Sequence, residues 1–419
     1  MNRFLVTGGE RLAGEIHIQG SKNSVLPILA ATLTADEACR IEGCPDLSDT
    51  RVACEILEHL GCRVAREEGA LTVEPGAGGV CDIPDSLMRR MRSSVMFLGG
   101  ILAREGRARI SFPGGCELGP RPIDLHLSAL RRLGVRFSEE GGYLTALAPD
   151  GLHGAELTLA LPSVGATENV MLAAVRARGE TLINGAACEP EIVDLQNFLN
   201  ACGARIRGAG TNVIRVEGVS SLHGARHRII PDRIVAATYL FAVCAAGGEA
   251  ELCGVCPGHM GAVLSVLEEM GVRLRVDGER IAVYAEKRPR APRTVRTAYY
   301  PGFPTDDQAL LMALAAVSEG SSLFIETVFQ DRYHHVGELR RMGASIQVEQ
   351  RVAVVEGVER LTGATVEATD LRGGAALLIA ALAAEGETVI ERIEHIDRGY
   401  EAPERVLRAL GAKIQREDG

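Results

Sequence analysis

Leu60-Gly61-Cys62-Arg63-Val64 decides the fold, because the phrase returns five times. It recurs as Leu133-Gly134-Val135-Arg136-Phe137, Cys202-Gly203-Ala204-Arg205-Ile206 and Met270-Gly271-Val272-Arg273-Leu274. The last two copies are Met342-Gly343-Ala344-Ser345-Ile346 and Leu410-Gly411-Ala412-Lys413-Ile414. Its glycines stand 73, 69, 68, 72 and 68 residues apart, so six copies of one unit account for the whole chain of 419 residues.

Working outward, each copy has the same parts. An Ala/Leu-rich segment apolar on every side, such as 26–33 or 375–382, predicts a buried helix. A short β-branched strand follows, as at Thr181-Leu182-Ile183 and Thr388-Val389-Ile390. Next comes an amphipathic helix with Val52, Ile56, Leu57 and Leu60 at three-and-four spacing, stopped by the glycine of the phrase. Strands such as 273–276 and 280–284 complete the unit. The expected fold class is α/β: one α/β unit repeated six times, helices buried and sheets outside.

A second echo places the boundaries. Leu12-Ala13-Gly14, Leu152-His153-Gly154, Leu222-His223-Gly224 and Leu361-Thr362-Gly363 each precede a strand that enters the next apolar helix. The N-terminal hairpin has no helix before it, and the last repeat lacks such a hairpin. The expected domains are therefore 21–230, and 1–20 joined with 231–419, with a hinged cleft between them.

Composition excludes several classes. The formal net charge is −10, with no Trp and 4 % aromatics, the wrong balance for a nucleic-acid binder. The longest apolar run, 234–246, falls short of the ~20 residues a membrane helix needs. Met1-Asn2-Arg3-Phe4 opens no charged-then-apolar leader, so a signal peptide is not expected. Eleven scattered cysteines predict a reducing cytoplasm and no disulfide framework. Neither the dinucleotide glycine pattern nor the phosphate loop occurs, so no cofactor is expected. Cys253-Gly254-Val255-Cys256 lacks a second ligand pair at zinc-finger distance, so no metal is expected either. Tyr333-His334-His335 is expected to hold solvent-facing or capping histidines.

The helix starts carry the chemistry. Lys22, Arg92, Arg121, Arg332, Arg372 and Arg398 all fall near predicted helix N-termini, where a cation opposes the macrodipole by ~0.3–1 kcal/mol. The plain alternative is pairing with Asp124, Asp331 and Asp397 nearby, which suffices for any single arginine. Six together point to a multiply anionic small molecule held by cations and helix amides. Between a strand and a helix, Pro113-Gly114-Gly115-Cys116 sets a thiol in a Gly/Pro-rich loop near Arg121, an arrangement that favours thiolate. Asp306 in Phe303-Pro304-Thr305-Asp306 reads equally as a first-turn acid or as a group facing the cleft.

Taken together these residues resemble the UDP-N-acetylglucosamine 1-carboxyvinyltransferases, a family of enolpyruvyltransferases, and the resemblance implies two inside-out α/β barrels of three units each. The carriers run from end to end: Gly20-Ser21-Lys22-Asn23, the Cys116 loop, Arg121-Pro122-Ile123-Asp124-Leu125-His126, Ser163-Val164-Gly165-Ala166-Thr167 and Glu189-Pro190-Glu191. They continue through Phe303-Pro304-Thr305-Asp306, Asp370-Leu371-Arg372 and His395-Ile396-Asp397-Arg398-Gly399-Tyr400. The resemblance implies transfer of the enolpyruvyl group of phosphoenolpyruvate to the 3′-hydroxyl of UDP-N-acetylglucosamine, the first committed step of peptidoglycan synthesis. It implies Cys116 as proton donor and fosfomycin target, and Asp306 as base. It implies Lys22, Asn23, Arg121 and Arg398 around phosphoenolpyruvate. Arg92, Arg121, Pro122, Ile123, Asp124, Leu125, Ser163, Val164, Gly165, Asp306 and Val328 would meet the UDP-sugar. Arg332, Asp370 and Arg372 would support them from behind, in a chain expected to be monomeric. Ser48, Leu161 and Val235 depart from patterns seen in some relatives, and Gly373-Gly374 follows Arg372 in place of Ala-Ser.

Three other readings compete with this one. A shikimate-phosphate enolpyruvyltransferase on the same fold is disfavoured by the Cys116 loop. A DNA clamp is disfavoured by second helices that are mixed or acidic, as at 53–59. A silent UDP-sugar binder is disfavoured by the presence of Cys116, Asp306 and Lys22.

Overall fold

The computed structural model describes residues 2–111 and 123–417. Cys116, Arg121 and Pro122 lie outside the described residues. The chain divides into two compact units: a terminal unit of Met1–Gln19 with Pro231–Gly419, and a central unit spanning 20–230.

The recurring phrase turns out to be one helix stop used six times. Gly61, Gly134, Gly203, Gly271, Gly343 and Gly411 all have φ between 81° and 100°, the left-handed region open to glycine. At each the two closing bonds are the same. Gly61 N–H donates to Glu58 O at 3.0 Å and Cys62 N–H reaches back to Leu57 O at 2.9 Å; Gly411 and Ala412 repeat this on Arg408 and Leu407. The glycine ends the amphipathic helix and turns the chain into its outer strands.

Each unit holds three four-stranded sheets among the described residues. In the repeat containing 156–217, Glu156–Thr158 runs parallel to Glu180–Asn184, the strand that follows the buried helix Val164–Ala174. Val213–Glu217 pairs antiparallel with both Glu180–Asn184 and Arg205–Arg207. On such outer strands arginines meet glutamates, as Arg215 meets Glu180 at 2.6 Å; exposed pairs of this kind contribute roughly 0.2–1 kcal/mol.

The two N-terminal strands, expected as a hairpin, do not pair with each other and join two different sheets. Arg3–Thr7 lies between Glu387–Glu391 and Lys413–Glu417, completing the last repeat. Leu12–His17 instead runs parallel to Gly248–Cys253 in the neighbouring sheet of the same unit. In the central unit Arg226–Arg228, from the far end of that unit, runs parallel to Cys39–Glu42. The leading strand of one sheet in each unit is thus borrowed across the crossing points. Ser21 N–H donates to Ile230 O at 2.8 Å within the central unit, and Asp232 N–H to Gln19 O at 2.9 Å within the terminal unit.

Each unit has its own apolar core. In the terminal unit the helices Arg233–Ala246, Thr305–Ala316 and Leu371–Ala383 pack on one another and are buried almost throughout. In the central unit the corresponding helices are Lys22–Ala31, Phe97–Glu105 and Val164–Ala174. Two glycines set their closeness: a Cβ on Gly99 would stand 2.3 Å from Asn169 O, and one on Gly100 2.7 Å from Ala30 O. No helix of the described residues is long and apolar enough to cross a membrane.

Candidate active site

Wrapping apolar helices in sheets leaves the helix starts as the places where polar side chains gather. In the terminal unit the gathering point is Asp306, in the first turn of Thr305–Ala316. Its Oδ1 lies 2.6 Å from Arg332 Nη2 and its Oδ2 3.3 Å from Arg372 Nη2. The two arginine side chains are 3 % and 4 % exposed, the carboxylate 29 %, so the positive groups lie behind and the acid faces outward. Arg332 also donates through Nε and Nη2 to Thr305 O, at 3.2 and 3.1 Å. Asp370 caps Leu371–Ala383, its Oδ1 accepting from the N–H groups of Arg372 and Gly373 at 3.0 and 3.1 Å. Burial works against its charge, yet the Arg332 charge and these backbone N–H groups hold its carboxyl below the usual range. Val328 N–H donates to the buried Glu326 at 2.8 Å, which fixes that turn.

Asp307, the next residue, is buried, and burial pushes its carboxyl well above the usual range; the charges of Arg233 and Arg372 only partly offset this. Adjacent carboxyls therefore differ in kind: Asp306 pairs with cations at the surface, whereas Asp307 favours its neutral form inside. A pocket of about 60 Å³ is lined by Arg233, His259, Tyr300 and Asp307, among others. It has room for a few waters and is too small for a nucleotide sugar.

In the central unit Lys22 opens Lys22–Ala31, with Asn23 half-buried beside it. Lys22 Nζ stands 2.8 Å from Asp49 Oδ2, and both side chains are buried at 9 % and 2 % exposure. A second group forms at the start of Val164–Ala174, where Ser163 Oγ caps Ala166 N–H at 3.3 Å. Asn169 Oδ1 accepts from Gly99 N–H at 2.6 Å, so its Nδ2 is the atom facing His126 Nδ1 at 2.8 Å. That assigns the His126 proton to Nε2. Burial, then the positive charge of Arg92, pushes His126 down to about 4, so the ring is a neutral donor. A Cβ on Gly165 would stand 3.0 Å from its Cε1, which brings Arg92, His126 and the 163–165 turn together. Ile123 precedes the first residue of Asp124–Arg132 and is buried; Asp124 is exposed and Leu125 half-buried.

Two expected helix starts are corrected. The helix after Arg332 begins at His335, and Arg332 is turned inward onto Thr305 and Asp306, away from Asp331. Arg398 ends the short 3-10 stretch Ile393–Arg398, where a cation suits the dipole, and the next helix starts at Pro403. Asp397, expected as its partner, forms a two-point pair with Arg416 at 2.8 and 2.6 Å. His335, expected at the surface, is fully buried, and burial pushes it down to about 4. Of the departures, Leu161 is exposed while Val235 is packed in the core.

Asp49, His126, Asn169, Glu326 and Tyr400 received no role from the sequence. Polar residues flanking apolar helix starts were the available signal, but their partners are up to 162 residues distant, as for Tyr400 and Thr238. Among the described residues no group of three His, Cys, Asp or Glu is set to hold a metal ion.

The profile of the EPSP synthase (3-phosphoshikimate 1-carboxyvinyltransferase) family matches residues 6–416. UDP-N-acetylglucosamine 1-carboxyvinyltransferase 2 of Caldanaerobacter subterraneus subsp. tengcongensis is 50 % identical over 416 residues, covering 99 % of this chain and 100 % of its own. The chain belongs to the UDP-N-acetylglucosamine 1-carboxyvinyltransferase family. Another relative bearing that family name, UDP-N-acetylglucosamine 1-carboxyvinyltransferase 1 of Symbiobacterium thermophilum, is 51 % identical over 421 residues, covering 99 % of this chain and 95 % of its own. Among solved structures, the enolpyruvyl transferase NikO from Streptomyces tendae matches with a TM-score of 0.89 at 27 % identity, over 100 % of this chain and 99 % of that one. EPSP synthase from Acinetobacter baumannii covers both chains completely at a TM-score of 0.75; at 18 % identity it speaks to the fold alone.

Proposed function

We propose that this chain transfers the enolpyruvyl group of phosphoenolpyruvate to the 3′-hydroxyl of UDP-N-acetylglucosamine and releases phosphate, the first committed step of peptidoglycan synthesis. The observation that carries the reading is half-identity along the whole chain to relatives of that name. The Asp306 cluster supports it chemically.

The reaction is an addition followed by an elimination through a tetrahedral ketal. A proton goes to the vinyl carbon as the sugar oxygen bonds the neighbouring carbon; a proton of the resulting methyl group is then withdrawn as phosphate leaves. Asp306 is the base that takes the hydroxyl proton; its outward-facing carboxylate, part-exposed with two guanidinium groups behind it, supports that reading. Cys116 is the donor to the vinyl carbon. Lys22, Asn23, Arg121 and Arg398 hold phosphoenolpyruvate. Arg92, Ser163, Val164, Gly165, Val328 and the 121–125 segment hold the UDP-sugar. A helix N-terminus beside a neutral histidine donor suits phosphate oxygens.

The test is phosphate release from phosphoenolpyruvate with UDP-N-acetylglucosamine, with shikimate 3-phosphate, and with neither. Release that depends on the UDP-sugar and is lost in Cys116→Ser is expected. Release with shikimate 3-phosphate alone, or saturable UDP-sugar binding without release, would overturn the reading.

A further inference from the structure

Asp306 is flanked by Arg332 at 2.6 Å and by Arg372 at 3.3 Å, one on each carboxylate oxygen, and Arg372 has a second buried partner. Its Nη1 donates to the Tyr400 hydroxyl at 3.2 Å while its Nη2 reaches Asp306. Tyr400 is 2 % exposed, and its oxygen lies 2.9 Å from Thr238 Oγ1. Proton directions along this chain are fixed by counting. Thr238 has one hydroxyl proton, and it is donated to Ile234 O at 2.8 Å. Tyr400 must therefore donate to Thr238, which leaves its oxygen lone pairs to accept from Arg372. Four elements are tied together, with Arg372 donating toward both ends: helix Arg233–Ala246, the 393–400 turn, helix Leu371–Ala383 and helix Thr305–Ala316.

The 393–400 turn also carries Arg398. It closes on itself through Tyr400 N–H to Ile396 O at 3.1 Å, and a Cβ on Gly399 would stand 2.9 Å from the Leu371 side chain. Tyr400 thus joins the turn bearing one substrate-binding arginine to the guanidinium that orients the proposed base.

We propose that Tyr400 is a positioning residue for the transfer reaction: its hydroxyl, oriented by Thr238, holds Arg372 in the rotamer that aims Asp306. This rests on the reaction proposed above. Without the hydroxyl, Tyr400→Phe leaves Nη1 of a buried guanidinium with one acceptor fewer, and Arg372 rotates toward other oxygen atoms. Substrates still bind, but the carboxylate is no longer aimed at the sugar hydroxyl. Turnover should fall with little change in KM, the sign of an interaction realised in the transition state.

The experiment measures kcat, both KM values and melting temperature for wild type, Tyr400→Phe, Thr238→Val, Thr238→Ser and the Tyr400→Phe/Thr238→Val double variant. Expected are a roughly tenfold fall in kcat for Tyr400→Phe and a smaller fall for Thr238→Val, with kcat largely retained in Thr238→Ser. The double variant should be no slower than Tyr400→Phe, because both changes break one relay. Unchanged kcat in Tyr400→Phe, effects that multiply in the double variant, or a loss that follows melting temperature alone would overturn the inference. Failure of the wild type to turn over would overturn the proposed reaction instead, so the two failures are distinguishable.

Discussion

In the central unit the cation that opens a buried helix stands beside a buried carboxylate, Lys22 against Asp49 at 2.8 Å. In the terminal unit the first turn of a sister repeat's helix carries a carboxylate, Asp306, and it serves two buried guanidinium groups. Both lie in the first turn of an all-apolar helix, on repeats that share one pattern of strands and stops. One cluster sets a buried cation against a buried carboxylate; the other sets two buried guanidinium groups behind a part-exposed acid. Repetition supplies the backbone of a site, and the residues that open each helix decide whether it presents a cation or an acid.

The sharpest way to break this contrast is Asp306→Ala. Turnover should fall by about 10²–10⁴-fold, the range for losing a general base. With the carboxylate gone, Arg332 and Arg372 should accept an exogenous anion, so millimolar phosphate should raise the variant's melting temperature more than the wild type's. Equal phosphate response in the two proteins would mean the guanidinium pair is not a receptive site.

Lys22→Met should act on the other side of the comparison by stranding the buried Asp49. A loss of about 3–5 kcal/mol in urea unfolding is expected, and the Lys22→Met/Asp49→Leu double variant should recover most of it. A double variant as unstable as the sum of its singles would show that the two groups are not balanced against each other.

Acid should affect both units alike. His126 and His335 titrate near 4 when folded and near 6.5 when unfolded. Between those values the unfolded chain binds more protons, so stability falls as the pH drops from 6.5 towards 4, by up to about 3 kcal/mol for each histidine. His126→Asn and His335→Asn should each flatten that slope in pH-dependent denaturation. A slope unchanged in both would place these rings outside the acid response.

The smallest effect expected is from Gly165→Ala, whose new methyl would press on the His126 ring at 3.0 Å. About 1 kcal/mol of stability should be lost, with KM rising for UDP-N-acetylglucosamine and not for phosphoenolpyruvate. A shift confined to phosphoenolpyruvate would move the UDP-sugar away from the 163–165 turn.

Much of the fold was legible because one local device, a left-handed glycine closing an amphipathic helix, is written six times in adjacent residues. Burial of the first helices was legible for a similar reason: sequences such as 375–382 offer no polar side. The division of the two N-terminal strands between two sheets was not, since Leu12 and Ile16 would be buried in either. The site was half legible. Lys22, Asp306 and Arg372 stand out as charges beside apolar helices, but which charge faces which is set by packing among repeats, and no spacing encodes it. Arg332 shows the limit plainly: its neighbour Asp331 was the obvious partner, and its actual partners are Thr305 and Asp306.

The most direct measurement is the mass of UDP-N-acetylglucosamine after incubation with phosphoenolpyruvate and the full-length protein. The account predicts a new species heavier by one enolpyruvyl group, linked at the 3′-oxygen, formed by wild type and formed at least about 10²-fold more slowly with Asp306→Ala. An unchanged nucleotide sugar with wild type, or the same product at the same rate with Asp306→Ala, would contradict it.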